Sequence, residues 1–83
     1  METVARTPQQ LAQILRAQRK RMGVTQGAAG AGVGLLPKTI SALELRPEGS
    51  SIESLFRLLS ALNLEMVVRE KSSSGDNSSG REW

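Results

Sequence analysis

Between Leu36 and Ser41 the chain sets Lys38, Thr39 and Ser41 close together behind an apolar pair, Leu36-Pro37. A lysine carries three donors on a long stem, and a serine or threonine hydroxyl both donates and accepts. Grouped at the start of a short helix, such side chains hydrogen-bond to acceptor edges and anionic oxygens. Bond-breaking chemistry has little to work with. The chain has no histidine and no cysteine, which removes the commonest general base, the thiolate nucleophile and the commonest metal ligands. Glu44 and Glu48 bracket a turn as a carboxylate pair, but no base, nucleophile or metal ligand accompanies them. The series GAAGAGVG, residues 27–34, matches neither the Walker nor the dinucleotide phosphate loop, and no strand precedes it. No enzymatic role, cofactor or metal site is expected.

Presenting those side chains requires a helix held at a fixed angle to another. Thr25 caps a short helix that runs to about Ala31, Gly34 sits in the following turn, and a further helix starts near Leu36-Pro37 and ends around Leu45. Two short helices joined by a glycine-bearing turn form a helix-turn-helix, whose second helix lies in the DNA major groove. Ile40 and Leu43 face inward, which leaves Leu36, Lys38, Thr39 and Ser41 as groove-facing candidates. Lys38 suits guanine O6/N7, the hydroxyls suit bases or phosphates, and Leu36 suits a thymine methyl. Gln26, at the N-terminus of the shorter helix, suits a backbone phosphate.

Charge distribution points the same way. Residues 1–46 hold seven Lys/Arg against two acidic residues, residues 47–71 three against four, and residues 72–83 one against two. The positive surplus therefore lies on the helix-turn-helix half, as a phosphate-binding face requires. Arg19 and Lys20, with Arg21 beside them, are expected phosphate neighbours.

The remaining elements supply the core. Thr7-Pro8 opens a first helix with Leu11, Ile14, Leu15, Gln18 and Met22 at helical spacing, and Gly23 closes it. After the turn RPEGSS, a serine caps a fourth helix with Ile52, Leu55, Phe56, Leu59 and Leu62 as its core stripe and Leu58 alongside. Glu44 is expected to close the motif through a helix contact or an ion pair with a basic neighbour such as Arg16 or Arg46. From Leu64 the period becomes two, predicting a strand of about six residues. A lone strand needs a partner, so Leu64, Met66, Val67 and Val68 are expected to pair with the same strand of a second copy. A frayed continuation of the fourth helix is the alternative. Residues 1–6 read as a loose arm, residues 7–71 as the DNA-binding and dimerisation domain, and residues 72–83, SSSGDNSSGREW, as a disordered tail. No apolar run approaches the roughly 20 residues of a membrane span, and a cytoplasmic location is expected.

Thr25-Gln26, Gly34, Thr39-Ile40-Ser41 and Glu44 resemble the pattern of the Cro/repressor-like (Xre) helix-turn-helix family. That resemblance implies an all-α, lambda-repressor-like fold of four or five helices, here with one strand paired across a dimer. The family usually has leucine at the position of Ala29 and alanine at that of Gly30, so the short helix is expected to be the weakest element. The Thr-Pro-capped first helix, the ending LLSALNLEMVVRE and the polar tail reaching Trp83 are similar to the HipB-type antitoxins. This resemblance implies a homodimeric repressor that binds palindromic operators, autoregulates its operon and neutralises a HipA-type serine/threonine kinase toxin. Trp83 is then expected to dock on the toxin; a degradation signal and an incidental residue are the alternatives. A stand-alone Xre regulator, or a degenerate helix-turn-helix serving only protein interaction, are the competing functional readings.

Overall fold

The computed structural model describes residues 2–71. Among the described residues four α-helices follow one another, α1 (Pro8–Met22), α2 (Gln26–Ala31), α3 (Pro37–Leu45) and α4 (Ile52–Ala61), with a single 3-10 turn at Pro47–Gly49. Their ends are written in side-chain chemistry. The hydroxyls of Thr7, Thr25 and Ser51 accept from the backbone N–H of Gln10, Ala28 and Ser54, so α1, α2 and α4 each begin on a satisfied cap. Gly23 closes α1 in the left-handed region, φ 75°, returning its N–H to the carbonyl of Lys20.

α3 is the central element, packed against α1, α2 and α4. Leu15, Ile40, Leu43, Leu58 and Leu62 are fully buried where these helices meet, with Ala29 and Leu59 completing the core. Burying a leucine or isoleucine of this size stabilises by about 1.5–3 kcal/mol, so this small cluster fixes the angle between α2 and α3.

Two backbone features set that angle. Gly34 adopts φ 73° in the connecting turn, a conformation that costs glycine nothing. At Gly30, an added Cβ would lie 2.2 Å from the carbonyl oxygen of Leu35 and 2.9 Å from Ile40 Cδ1. The Gly30 carbonyl also accepts from the N–H groups of Val33 and Leu35 at 3.1 and 3.0 Å. Glycine here does not thin the core; it lets the turn close against the helix. Gly30→Ala is therefore expected to destabilise by about 1–3 kcal/mol through overpacking. Gly27→Ala, whose new Cβ meets nothing nearer than 3.9 Å, should be neutral or stabilising by about 0.4–1 kcal/mol. Urea unfolding of the two variants measures the opposite signs.

Two expectations need correction. The core stripe of α4 is Leu55, Leu58, Leu59 and Leu62, while Ile52 and Phe56 are 72% and 49% exposed. Apolar residues cover so wide an arc of α4 that two overlapping stripes at helical spacing exist, and α2 and α3 cover only one of them. The second concerns residues 64–71, which form no strand within a single copy; among the described residues there is none. The helical continuation is excluded as well. Asn63 turns left-handed at φ 59°, and the N–H groups of Asn63 and Leu64 cap the carbonyls of Ser60 and Leu59 at 3.2 and 2.9 Å. This is a Schellman ending, and Leu64 folds back onto the core after it. The stretch then runs on as irregular backbone, since one copy offers no ladder to join.

Candidate nucleic-acid interface

Leu36 forms the N-cap of α3 in extended conformation and provides no side-chain hydrogen bond, while Pro37 occupies the first helical position. Ile40, Leu43 and Glu44 point into the protein. Helical geometry then puts Lys38, Ala42 and Leu45 on the outer side, with Thr39 and Ser41 at its edges. Lys38 is exposed, Leu36 is 61% exposed, and Thr39 and Ser41 are half-buried. The structure thus brings four of the expected groove residues together at the start of one helix. Gln26 is the first residue of α2, half-buried, and its Nε2 donates to Glu44 Oε1 at 3.3 Å.

Arg19 takes a different place from the one its sequence neighbourhood suggests. It is 9% exposed, and its Nε and Nη2 donate to the two carboxylate oxygens of Glu44 at 2.6 and 3.0 Å. Its Nη1 donates to the Val24 carbonyl at 2.9 Å. With Nε, Nη1 and Nη2 each donating inside the protein and the residue only 9% exposed, Arg19 is turned away from solvent, so its expected phosphate role is corrected to an internal one. The partner of Glu44 is accordingly Arg19, not Arg16 or Arg46. The bond to Glu44 raises the Arg19 pKa above the ordinary arginine value, burial opposes this, and the attraction of the Glu44 charge adds to the rise. A folded-state value above the unfolded one means that, as pH rises, this contribution holds through neutrality and is lost only in strong alkali.

The pair acts as a bracket. It ties the last turn of α1 to the last turn of α3, and through Gln26 and Val24 it also holds the start of α2. The orientation of the outer face of α3 depends on all three. Lys20 is exposed beside it on α1, as are Arg16 and Arg21. Arg21 donates to the Gln18 side chain at 2.7 Å.

Spacing in the sequence contained the signal for this bracket. Arg19 follows Ala12 and Leu15 at helical intervals, and Glu44 follows Ile40 in the same way, so each charge lies on the stripe its helix buries. Two buried opposite charges on helices packed together must meet, because an unpaired one would be too costly.

No protein-family model matches the chain. Two curated relatives do. It is 32% identical over 62 residues to Antitoxin HipB of Escherichia coli O6:H1 strain CFT073, covering 75% of this chain and 66% of the relative. It is 31% identical over 62 residues to Antitoxin HipB of Escherichia coli strain K12, covering 75% of this chain and 70% of that one. The chain belongs to the HipB antitoxin family. Solved structures agree: a chain of the HipA-HipB-O2-O3 complex superposes with a TM-score of 0.82 at 27% identity, over 86% of this chain and all of that one. The HipB-O4 20mer complex gives the same TM-score, identity and coverage.

In this HipB-family chain, apolar side chains remain uncovered at a second place. Val33, Ile52 and Phe56 line a shallow groove of about 640 Å³ on α4, rimmed by Glu53, Arg57 and Ser60. Sequence reasoning assigned Ile52 and Phe56 to the core and missed this face. Of the expected dimerisation residues, Leu64 packs on its own core, while Met66, Val67 and Val68 are 44%, 65% and 90% exposed. Trp83 and the tail 72–83 lie outside the described residues.

Proposed function

We propose that this chain is the DNA-binding antitoxin of a HipA-type serine/threonine kinase toxin, repressing its own operon as a homodimer in the cytoplasm. The observation that carries the DNA-binding part is the outer face of α3. Leu36, Lys38, Thr39 and Ser41 lie at the start of a helix whose orientation is locked by the Arg19–Glu44–Gln26 network, and exposed Lys20 lies on the adjacent helix. Its relatives carry the name antitoxin, and HipB chains have been solved with operator oligomers and with HipA. On this reading the protein acts by binding.

The roles divide by reach. Lys38, Thr39, Ser41 and Leu36 meet base edges, Gln26 meets a phosphate at the start of α2, and Lys20 meets the backbone beyond. Lys38→Ala is expected to weaken binding to the operator by about 1–3 kcal/mol while random duplex loses far less. Lys20→Ala is expected to weaken both alike and to lower the salt dependence by about one phosphate. Fluorescence titration of operator and random duplexes separates these. Equal losses for Lys38→Ala on both duplexes would put Lys38 on phosphate instead.

Dimerisation uses two surfaces that one copy leaves exposed. Met66, Val67 and Val68 pair as a strand with their counterparts, and the Ile52–Phe56 groove meets the same groove of the partner. Glu53 and Arg57 rim the groove and pair with each other at 2.7 Å within one copy, so a two-fold axis would set the same apolar floor and the same charged rim of each copy against the other. Trp83 is proposed to anchor the toxin. Tryptophan is enriched among interface hot spots. Calorimetric titration of the kinase toxin with full-length and Trp83-deleted chains tests this; equal affinities leave the degradation-signal reading.

A further inference from the structure

We infer that Leu36 is a specificity-determining residue, and that the operator half-site places a thymine, recognised by its C5-methyl group, beside the guanine taken by Lys38. This assignment rests on the DNA-binding reading above and narrows it to particular bases.

Three observations converge on Leu36. It occupies the N-cap of α3 without making a cap hydrogen bond, at a position where Ser, Thr, Asp or Asn would hold the helix better. It does not serve the core either: Leu35 packs against the buried cluster, whereas Leu36 stays 61% exposed. Neither local structure nor packing accounts for an exposed leucine there, at the end of the helix nearest the bases. The outer side of α3 also lacks the usual readers of the other bases. From Leu36 to Leu45 there is no Asn, Gln, Arg or Asp, and Glu44 is buried against Arg19. Adenine is read in the major groove by Asn or Gln and cytosine by an acidic acceptor. A lysine, two hydroxyls and an exposed leucine next to an exposed proline remain. Of these, lysine discriminates guanine, and the apolar pair discriminates the one base edge that carries a methyl.

The experiment starts from full-length protein and a randomised duplex pool, from which the preferred sequence is selected. Each thymine of that duplex is then replaced singly by uracil, which deletes the methyl and nothing else. Wild type should lose about fourfold in affinity at one position of each half-site, the value of burying one methyl-sized group. Leu36→Ala, an exposed position that leaves the fold intact, should bind thymine and uracil duplexes equally. At the neighbouring guanine, 7-deazaguanine should weaken wild type but not Lys38→Ala. The inference is overturned if uracil matches thymine at every position with wild type, or if Leu36→Ala keeps the difference. Failure to select any duplex overturns the DNA-binding reading and this assignment together, whereas a selected but uracil-indifferent duplex removes only the assignment.

Discussion

Glu44→Ala is expected to lower folding stability by about 3–5 kcal/mol, the usual effect of removing one member of a buried ion pair. The size follows from what remains: Arg19, 9% exposed, keeps its charge after losing both carboxylate oxygens that accept from it. Small domains have only about 5–15 kcal/mol in total, so this variant should approach the unfolding threshold at ordinary temperature. The double variant Arg19→Met, Glu44→Leu should recover most of the loss, because well-packed apolar replacements of a buried pair are often neutral or better. Urea midpoints of Arg19→Met, Glu44→Leu and the double variant complete the cycle. Additive losses in the double variant would mean that the two side chains do not act as a pair.

Val67→Pro is expected to convert the dimer to a monomer, since proline removes an N–H from the short two-stranded ladder and restricts the residue before it. The consequence for DNA is larger than for the fold. Once the copies separate, the second half-site is no longer reached intramolecularly, and operator affinity should fall by about 10²–10⁴-fold. Phe56→Glu probes the other surface independently by placing a charge in the α4 groove. Sedimentation of both variants distinguishes the contributions. An intact Val67→Pro dimer alongside a monomeric Phe56→Glu would assign the interface to the helix face alone.

Most of the fold could be read from capping chemistry and period, because those signals are local. Thr7-Pro8, Thr25, Leu36-Pro37 and the Ser50-Ser51 pair each mark a helix start that the structure has within a residue. What escaped depended on rotation and on partners. The apolar arc of α4 fits two stripes, and only the packing of α2 and α3 decides that Leu58 is buried while Phe56 stays out. Arg19 stands in the run Arg19-Lys20-Arg21, which as a sequence reads as a solvated basic face, yet its interval from Leu15 turns it inward toward Glu44. At Gly30 the reverse happened. Propensity counts an interior glycine as a weakness, and only the approach of the Leu35 carbonyl shows that nothing larger fits. The alternation from Leu64 describes a strand's composition, while its ladder depends on a chain that a single sequence does not contain.

The central claim is sequence-specific DNA binding by a HipB-family repressor, and the DNA preceding its own reading frame is the most direct probe. Full-length protein is titrated against that duplex and against a scrambled duplex of equal length and composition, at several salt concentrations. Binding to the native duplex should be at least about 10³-fold tighter at physiological salt, and both affinities should fall linearly in log–log salt. Equal affinity for the two duplexes, or no salt-dependent binding to either, would contradict the account and leave the helix-turn-helix as a protein-interaction module.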